Sequence, residues 1–421
     1  MKKSIFNVLF IFTLLSICNL TFSIDICMCQ WVIMSDGIGS NQCILSLTSS
    51  NSNIFAGTYS NGVFRSTNFG ITWTTVNSGL TFLTVQSLII KENYLFAGTA
   101  GSGIFLSTNN GENWNFSGLT NQDIYCFALI GSNLFAATFG NGVYLSTNNG
   151  VNWNPINNGL TNYFLSTLVS SGNTLFAGTE NGVFLSTNSG ANWNSVNAGL
   201  TNLTVNGLTL SGSSLFAGTW GGGVFRTTNN GTNWNAVNFG LTNQYILTLT
   251  SSGANIFAGA SGPGDIVYLS TNSGENWFNK DQGFNNIGGV YSLLITNNYI
   301  FAGTGNHSVW RRSFSEILGI KPISKNVPSS YSLFQNYPNP FNPTTKIKFD
   351  IARIEVRSQQ PEVSLKIFDI LGREIQTLVN EQLQPGTYEV TFDGSNSPSG
   401  IYFYQLKTNN FIGTKKLILL K

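Results

Sequence analysis

The side chains that could carry catalysis are few and scattered. The chain has 421 residues and one histidine, His307, which argues against a histidine-dependent catalytic triad or a multi-histidine zinc site. Residues 24–314 contain nine acidic residues, and none of them forms a recognisable pair of opposed carboxylates, the arrangement that glycoside hydrolysis requires. The sequence therefore predicts no metal site, no cofactor and no enzymatic activity.

The overall charge excludes one class of partner and marks a boundary. With 20 Lys+Arg and 18 Asp+Glu, the chain is only 9% charged and has a net charge of +2, which gives no electrostatic basis for binding nucleic acid. Residues 24–314 contain 6 basic and 9 acidic residues, whereas residues 315–421 contain 12 and 9. Such a change in composition predicts a domain boundary near residue 315.

The N-terminus has the pattern of a secretory signal peptide. Two lysines precede an apolar run at 5–17, and polar residues follow it. Thr21 and Ser23 suit the −3 and −1 positions, so we predict a signal peptide over 1–23 and no membrane span in the mature protein. The apolar run is shorter than the roughly 20 residues that a span needs.

Export would permit disulfide bonds between the cysteines that remain. Four cysteines allow three complete pairings, and the sequence does not choose among them. Their positions are Cys27, Cys29, Cys43 and Cys126.

A repeat of about 41 residues fills the middle of the chain. Phe-Ala-Gly or Phe-Ala-Ala recurs seven times, with Phe at 55, 96, 135, 176, 216, 257 and 301. In the unit that begins at Leu165, short apolar runs alternate with Gly- and Asn-rich breaks, which predicts strands at about 165–170, 174–179, 182–187 and 192–197. Four-stranded units of this length predict a β-propeller.

The number of blades follows from the two ends of the repeat region. The seventh unit lacks a tryptophan after its third strand, and Trp31 stands alone before the first unit. The spacing from Trp31 to Gly37 equals the spacing from Trp193 to Gly199 in a complete unit. The N-terminal segment therefore supplies the missing fourth strand, and we predict a seven-bladed propeller over 24–314.

Six units share a motif between their third and fourth strands, exemplified by STNSGANW from Ser186. It resembles the Asp-box (BNR) repeat of sialidase- and sortilin-like propellers, with Asn at the Asp position. The resemblance implies a structural hairpin clip whose tryptophan packs between blades. These box tryptophans are Trp73, Trp114, Trp153, Trp193, Trp234 and Trp277. The catalytic residues of sialidases have no counterpart, because the region lacks their arginine cluster.

The C-terminal region has a different pattern. Residues 315–330 contain two prolines and no repeat, and we predict a linker there. From 331 onward, alternating strands and Pro/Gly turns predict a small immunoglobulin-like β-sandwich. Residues 331–421 closely resemble the type A C-terminal sorting domain of bacterial type IX secretion, which implies export to the cell surface or the medium and contact with the secretion machinery. The matching positions include Pro338, Asn339, Pro340, Gly372, Arg373, Gly400, Tyr402, Lys415 and Lys416.

A ligand site is expected on one face of the propeller. In this fold the loops between the second and third strands and the loops between blades share a face around the central funnel, which we call the funnel face; the motif loops lie on the opposite, box face. Because a repeat fixes what the fold needs, variation between units points to residues that the fold leaves free. The variable funnel-face positions are Tyr59, Asp123, Phe139, Tyr163, Phe164, Glu180, Trp220 and Tyr245, and this face is expected to collect the acids Asp36, Asp265 and Asp281 as well.

Aromatic faces with a few acids suit sugars or other extended polymers. We therefore predict a non-catalytic propeller that binds a glycan or another extracellular polymer or protein. Two other classes stay open: a polysaccharide-degrading hydrolase or lyase, and a structural or adhesive surface protein. The sequence also allows these aromatic residues to be mere plugs at the tops of the blades.

Overall fold

The fold is known from a computed structural model. It describes residues 30–421 except 263, 285–286, 297, 325–326, 353–361, 384 and 396. The predicted signal peptide, Cys27 and Cys29 lie outside the described residues. Cys43 and Cys126 are present as free thiols.

Seven four-stranded antiparallel sheets form the blades of a propeller, as predicted. Within each blade the chain runs outward from strand a, the first of the blade, through strands b and c to the short strand d, the fourth. The first three blades comprise β2 (Ile44–Ser50), β3 (Asn53–Thr58), β4 (Val63–Ser66), β5 (Thr74–Thr75); β6 (Val85–Lys91), β7 (Tyr94–Thr99), β8 (Ile104–Ser107), β9 (Asn115–Gly118); and β10 (Ile124–Ile130), β11 (Asn133–Thr138), β12 (Gly142–Ser146), β13 (Asn154–Pro155). The next three comprise β14 (Leu165–Ser171), β15 (Thr174–Thr179), β16 (Gly182–Ser186), β17 (Asn194–Ser195); β18 (Val205–Ser211), β19 (Ser214–Thr219), β20 (Gly223–Thr227), β21 (Asn235–Ala236); and β22 (Ile246–Ser252), β23 (Asn255–Ala260), β24 (Val267–Ser270), β25 (Phe278–Asn279).

The seventh blade joins the two ends of the repeat region. It consists of β26 (Val290–Ile295), β27 (Tyr299–Thr304), β28 (Val309–Ser313) and, from the N-terminus, β1 (Val32–Ile33). β1 pairs antiparallel with β28, so the predicted closure of the ring is confirmed. The buried Trp31 ring stacks on Phe284 at 4.8 Å, and its Nε1 donates to the carbonyl of Lys280 at 2.8 Å.

Strand d is shorter than predicted in blade four, the blade for which its bounds were predicted. In blade four the ladder to β16 contains only Asn194 and Ser195. Beyond it, Asn197 uses its side chain instead of its backbone, since Oδ1 accepts the N–H of Val183 at 2.7 Å. A side-chain cap of this kind protects the start of strand c, the third strand, where the outer edge of the blade would otherwise be open.

The second domain is a β-sandwich of two four-stranded sheets. One sheet has the order β29-β34-β31-β30 and the other β33-β32-β35-β36. Their strands are β29 (Ile320–Ser324), β30 (Ser332–Leu333), β31 (Thr344–Ile351), β32 (Glu362–Phe368), β33 (Glu374–Gln382), β34 (Gly386–Asp393), β35 (Gly400–Lys407) and β36 (Ile412–Leu419).

The segment predicted as a linker is structured. It contains most of the helical turn α1 (Phe314–Ile317) and β29, which pairs with β34 at the edge of the sandwich. Pro322 suggested a linker, but an edge strand tolerates proline because one side of it has no ladder partner. The sandwich therefore begins about ten residues before its predicted start at 331.

The two domains share one hydrophobic core at their junction. Phe314 and Ile317 are buried between Phe257 of blade six and the sandwich residues around Ile320. A cleft of about 1070 Å³ lies beside this junction, lined from blades six and seven by Ser252, Gly253 and Thr296 and from the sandwich by Asn380, Gln405 and Lys407. The sandwich thus packs against the turns between the first two strands of these blades.

Those turns lie on the box face. In blade four the N–H of Ser189, in the loop between strands c and d, donates to the carbonyl of Asn173, in the turn between strands a and b, at 3.0 Å. The loops between strands b and c are instead hydrogen-bonded to the segments between blades, which lie on the funnel face. For example, the N–H of Gly62 donates to the carbonyl of Leu83 at 2.8 Å. The sandwich consequently covers part of the box face.

Candidate functional site

The six motif loops of the box face, which we call box loops, share one hydrogen-bond pattern. In blade four the Oγ of Ser186 accepts the N–H of Gly190 at 2.8 Å and donates to Oδ1 of Asn188 at 2.9 Å. The same Oδ1 accepts the N–H of Asn192 at 2.9 Å. The amide oxygen of Asn thus does what a carboxylate oxygen could do, and the loop turns without an added negative charge. Ser189 and Gly190 both have positive φ, which the glycine adopts without strain.

The box tryptophans join neighbouring blades, as predicted. Trp193 donates its Nε1–H to the carbonyl of Ile156 in the preceding blade at 2.7 Å, and Trp234 donates to Val196 at 2.7 Å. Five of the six rings are buried, and Trp153 is half-buried. Each ring therefore covers the outer edge of the blade before it.

Three arginines add a second link between blades. They occupy one equivalent position in strand c and each donates from Nη1 to a backbone carbonyl in the box loop of the next blade. The pairs are Arg65 with Asn110 at 3.2 Å, Arg226 with Ser273 at 2.9 Å and Arg311 with Phe69 at 2.6 Å. The last pair crosses the closure between blades seven and one. These guanidinium groups are therefore occupied by the fold.

In the sandwich, the predicted sorting residues surround the last strand. Asn339, between Pro338 and Pro340, accepts the N–H of Ile418 on its Oδ1 at 2.9 Å, so this loop lies along the outer edge of β36. Lys415 and Lys416 lie in β36 opposite Tyr404 and Phe403.

The remaining predicted sorting residues lie in turns and at a strand start. Arg373 and Gly372 close a turn around Asp369, with Arg373 Nε donating to Oδ2 at 2.6 Å. Gly400 begins β35, and the Tyr402 hydroxyl donates to the carbonyl of Pro398 at 2.7 Å.

The funnel-face loops are held by a repeated threonine side chain and by a main-chain contact. In six blades the threonine that ends strand b donates its Oγ1–H to the carbonyl at the far end of the loop, for example Thr219 to Gly223 at 3.0 Å. In all seven blades the N–H of the residue that follows strand b donates to the carbonyl of the residue that precedes strand a. Tyr59 donates to Cys43 at 3.0 Å in blade one, and Trp220 donates to Thr204 at 3.0 Å in blade five. Because main-chain groups alone satisfy this contact, the side chains there are free to differ between blades.

Two edge-to-face aromatic pairs lie on the funnel face, each across a boundary between blades. Phe139 of blade three meets Phe164 of blade four with ring centroids 5.0 Å apart, and Trp220 of blade five meets Tyr245 of blade six at 5.2 Å. Trp220 is 46% exposed and Tyr245 is 50% exposed, so these rings do not act as buried plugs. Tyr163 and Tyr59 are also exposed, and no ring contact of either is found among the described residues.

One further ring extends the first pair. Tyr125 stacks on Phe139 with centroids 5.0 Å apart and an interplanar angle of 21°. Burial raises the pKa of the Tyr125 hydroxyl, and the nearby carboxylates of Asp123 and Glu180 raise that pKa further. The structure thus brings these two predicted acids to the aromatic residues of blades three and four.

The other predicted acids have different roles. Asp281 accepts the N–H groups of Val267 and Ile266 at 2.6 and 2.8 Å, which is the strand cap that Asn197 provides in blade four. The Asp36 carbonyl accepts the N–H of the box residue Trp73 at 2.9 Å. The Asp281 carboxylate is therefore occupied by the fold and is not a free site acid, whereas the exposed Asp36 carboxylate stays a predicted member of the funnel face. Asp265 lies in a funnel-face loop but accepts a hydrogen bond from Thr242.

Tyr125 and its counterpart Tyr291 were not among the sequence-predicted site residues. They are the second residues of strands β10 and β26, and each is more than one-third exposed. A bulge at this position in every strand a leaves the second residue without a partner in strand b. The sequence contained a signal for this position, because it varies between units. Across the seven units the second residue of strand a is Leu twice, Tyr twice, and Gln, Ser and Asn once each.

Lys and Arg are missing from the described loop residues that join strands b and c or directly precede strand a. The six Lys and Arg residues of 30–314 lie elsewhere, with Lys280 directly after the outermost strand of blade six, and His307 lies between strands b and c of blade seven. Besides the three arginines above, Lys91 contacts Ser132 and Asn149 on the box face, and Arg312 donates to the carbonyl of Lys280. Within the described part of the chain no group of three His, Cys, Asp or Glu side chains could hold a metal ion, and no helix is long and apolar enough to cross a membrane.

Known proteins resemble the two domains separately. Residues 335–420 match the family described as Secretion system C-terminal sorting domain. This domain implies type IX secretion to the cell surface or the extracellular space, as expected from the sequence. No curated protein matches the chain significantly.

Solved structures that resemble the chain share the propeller fold at low identity. The extracellular domain of a putative one-component system from B. thetaiotaomicron is 17% identical with a TM-score of 0.57, over 78% of this chain and 48% of that one. An ancestral GH74 enzyme is 17% identical with a TM-score of 0.55, over 92% and 63%. YCF48 bound to D1 peptide is 14% identical with a TM-score of 0.55, over 68% and 96%. The chain spans about half the length of the first of these proteins, and at such identities the likeness shows the fold alone.

Proposed function

We propose that the exported propeller is a non-catalytic binding module whose funnel face takes an extracellular glycan. The observation that carries the proposal is the pair of exposed aromatic contacts, Phe139 with Phe164 and Trp220 with Tyr245, in loop segments next to strands a and b where no described residue is Lys or Arg. The apolar faces of sugar rings stack on such side chains, and backbone and hydroxyl groups supply the polar contacts.

The fold itself does not require these aromatic side chains. Blade two has Ala100 and blade seven has Gly305 where blade five has Trp220, and all three donate the same backbone hydrogen bond. Exposed large rings at a position that accepts Ala or Gly contribute little to folding. They leave stacking surface available to a ligand on the side of the propeller opposite the sandwich.

The charge on this face limits the ligand. Beside the aromatic pairs a polyanion would meet the carboxylates of Asp123 and Glu180 and no described Lys or Arg, so attraction there must come from stacking and neutral hydrogen bonds or from positive groups on the ligand. Binding of an uncharged glycan should be weak for each ring and nearly independent of salt, unlike an ion-paired interface.

A glycan screen with the intact secreted protein tests the proposal. The ligand found should bind Trp220→Ala about tenfold more weakly, since loss of one stacking contact corresponds to roughly 1–2 kcal/mol. The matched control is Phe239→Ala. Phe239 is 70% exposed and lies close after the outer strand d in the loop whose other end, next to strand a, carries Tyr245; its carbonyl accepts the N–H of the box residue Trp277, and blade four has Ala198 at this position. Binding that is lost equally in both variants, or in neither, would contradict the proposal.

Hydrolysis of the bound glycan is the second candidate. It is favoured by the two carboxylates, Asp123 and Glu180, on either side of the Phe139–Phe164 pair, because glycosidases act with two acids across the scissile bond. Products should then appear on prolonged incubation with the polysaccharide and disappear in Asp123→Asn and Glu180→Gln. Unchanged polysaccharide that stays bound supports the binding module.

A further inference from the structure

The two aromatic pairs of the funnel face have the same backbone architecture and different flanking residues. In the first, the N–H of Phe139 donates to the carbonyl of Asp123 at 3.0 Å, and the N–H of Glu180 donates to that of Phe164 at 3.2 Å. Asp123, Phe139, Phe164 and Glu180 thus form one continuous row across the boundary between blades three and four. We call this row, together with Tyr125, the acidic patch.

The second row matches the first step by step. Trp220 donates to Thr204 at 3.0 Å and Ser261 donates to Tyr245 at 2.9 Å across the boundary between blades five and six. We call Thr204, Trp220, Tyr245 and Ser261 the neutral patch. The two rows therefore present similar aromatic surfaces, and the first adds a carboxylate at each end.

The carboxylates of the acidic patch are available to a ligand. No hydrogen bond or ion pair of the Asp123 or Glu180 carboxylate is found among the described residues, in contrast to Asp281 and Asp265. Besides burial, both carboxylates raise the pKa of the Tyr125 hydroxyl, so both lie close enough to this partly exposed ring to act on it. An aromatic surface with two unpaired carboxylates attracts a cation through charge and through the ring faces.

We infer that the acidic patch is a subsite for a positively charged amino sugar, so that the ligand is a glycan with free amine groups. This inference rests on the proposed function and adds the chemical class of the glycan. The sugar rings would stack on the aromatic residues while two ammonium groups of the polymer pair with Asp123 and Glu180. The neutral patch would take an uncharged sugar ring of the same polymer.

The test uses two probes that differ only in charge: a β-1,4-linked glucosamine hexamer and the same hexamer fully N-acetylated. Binding to the intact protein is measured by calorimetry at a pH where the amines are charged. Wild type should bind the amine form about tenfold more tightly at low ionic strength, the combined effect expected of two exposed ion pairs, and high salt should remove most of the difference.

Variants assign the preference to the acidic patch. The double variant Asp123→Asn/Glu180→Gln should bind both hexamers alike, whereas Glu275→Gln, which removes an exposed carboxylate from a box loop, should keep the preference. The converse variant Thr204→Asp/Ser261→Glu places acids at the neutral patch and should increase the preference. Melting curves of all variants identify any loss of folding.

The outcomes distinguish a failure of the amino-sugar inference from a failure of the proposed glycan binding. If both hexamers bind with equal affinity, or if the amine preference persists without Asp123 and Glu180, the inference is overturned and the proposed function stands. If the acidic patch shows no preference and no glycan of any charge binds the funnel face, the proposed function fails as well.

Discussion

The loops on the two faces of the propeller differ in which positions bond through side chains. On the box face the motif side chains complete the loop, as when Ser186 Oγ accepts the N–H of Gly190. On the funnel face the repeated threonine that ends strand b bonds the far end of the loop, as Thr219 does to Gly223, but the residue after it bonds only through its backbone, as when Thr204 accepts the N–H of Trp220. A position that bonds through its side chain must repeat its residue type, and a position that bonds through main-chain groups can vary. Invariance within this chain therefore marks the fold, and variation marks the surface left for a ligand.

Deleting the C-terminal sandwich gives the largest expected effect, and it should affect export without affecting ligand binding on the funnel face. Deleting residues from Gly319 onward removes the whole sandwich, including β29, and should abolish export from a host with type IX secretion. The funnel face should keep its ligand, because the described part of the sandwich packs against turns on the box face of blades six and seven. Normal export of the truncated protein, assayed by fractionation, would show that the tail is not the sorting signal.

The same junction predicts how much sequence a transplanted signal needs. A passenger fused to 319–421 should be exported more efficiently than one fused to 331–421, since the shorter piece keeps β30 but lacks β29 and leaves one edge of β34 without its partner. Equal export of the two fusions would mean that β29 is dispensable for the sorting domain.

The next largest effect is expected from opening the propeller ring at its closing blade. Removing residues 24–37 takes away β1 and the buried Trp31, and loss of a buried tryptophan alone costs about 3–5 kcal/mol, a large share of a typical stability of about 5–15 kcal/mol. The melting temperature should fall sharply. Equal melting temperatures for the shortened and intact proteins would contradict closure through the N-terminus.

A single box hydroxyl gives a smaller effect. Ser186→Ala leaves the buried N–H of Gly190 without its acceptor, which should lower the free energy of unfolding by about 1–3 kcal/mol in a denaturant titration. Thr187→Ala removes the exposed neighbouring hydroxyl and should change it by less than about 0.5 kcal/mol. If the two variants were equally stable, the box hydroxyl would not hold the loop.

Much of this architecture was predictable because the same strand and loop pattern occurs in every repeat unit. Seven Phe-Ala-Gly or Phe-Ala-Ala units and the lone Trp31 were enough for the blade number and its closure, and the box motif gave the contacts between blades. Single features escaped. Tyr125 lies in a bulge that ordinary strand alternation does not indicate, and Asp281 looked like a site acid although it is the blade-six version of a structural asparagine. Pro322 led to the prediction of a linker, although it lies in the edge strand β29.

The central claim is that tryptophans on opposite faces have opposite roles, and one paired measurement tests it directly. The free energy of unfolding of Trp193→Ala and Trp220→Ala is compared with that of wild type by chemical denaturation. The buried box residue Trp193 should lose about 3–5 kcal/mol, whereas Trp220, 46% exposed, should lose less than about 1 kcal/mol. A loss of several kcal/mol in Trp220→Ala would make that residue part of the core and would contradict the assignment of the funnel face to a ligand.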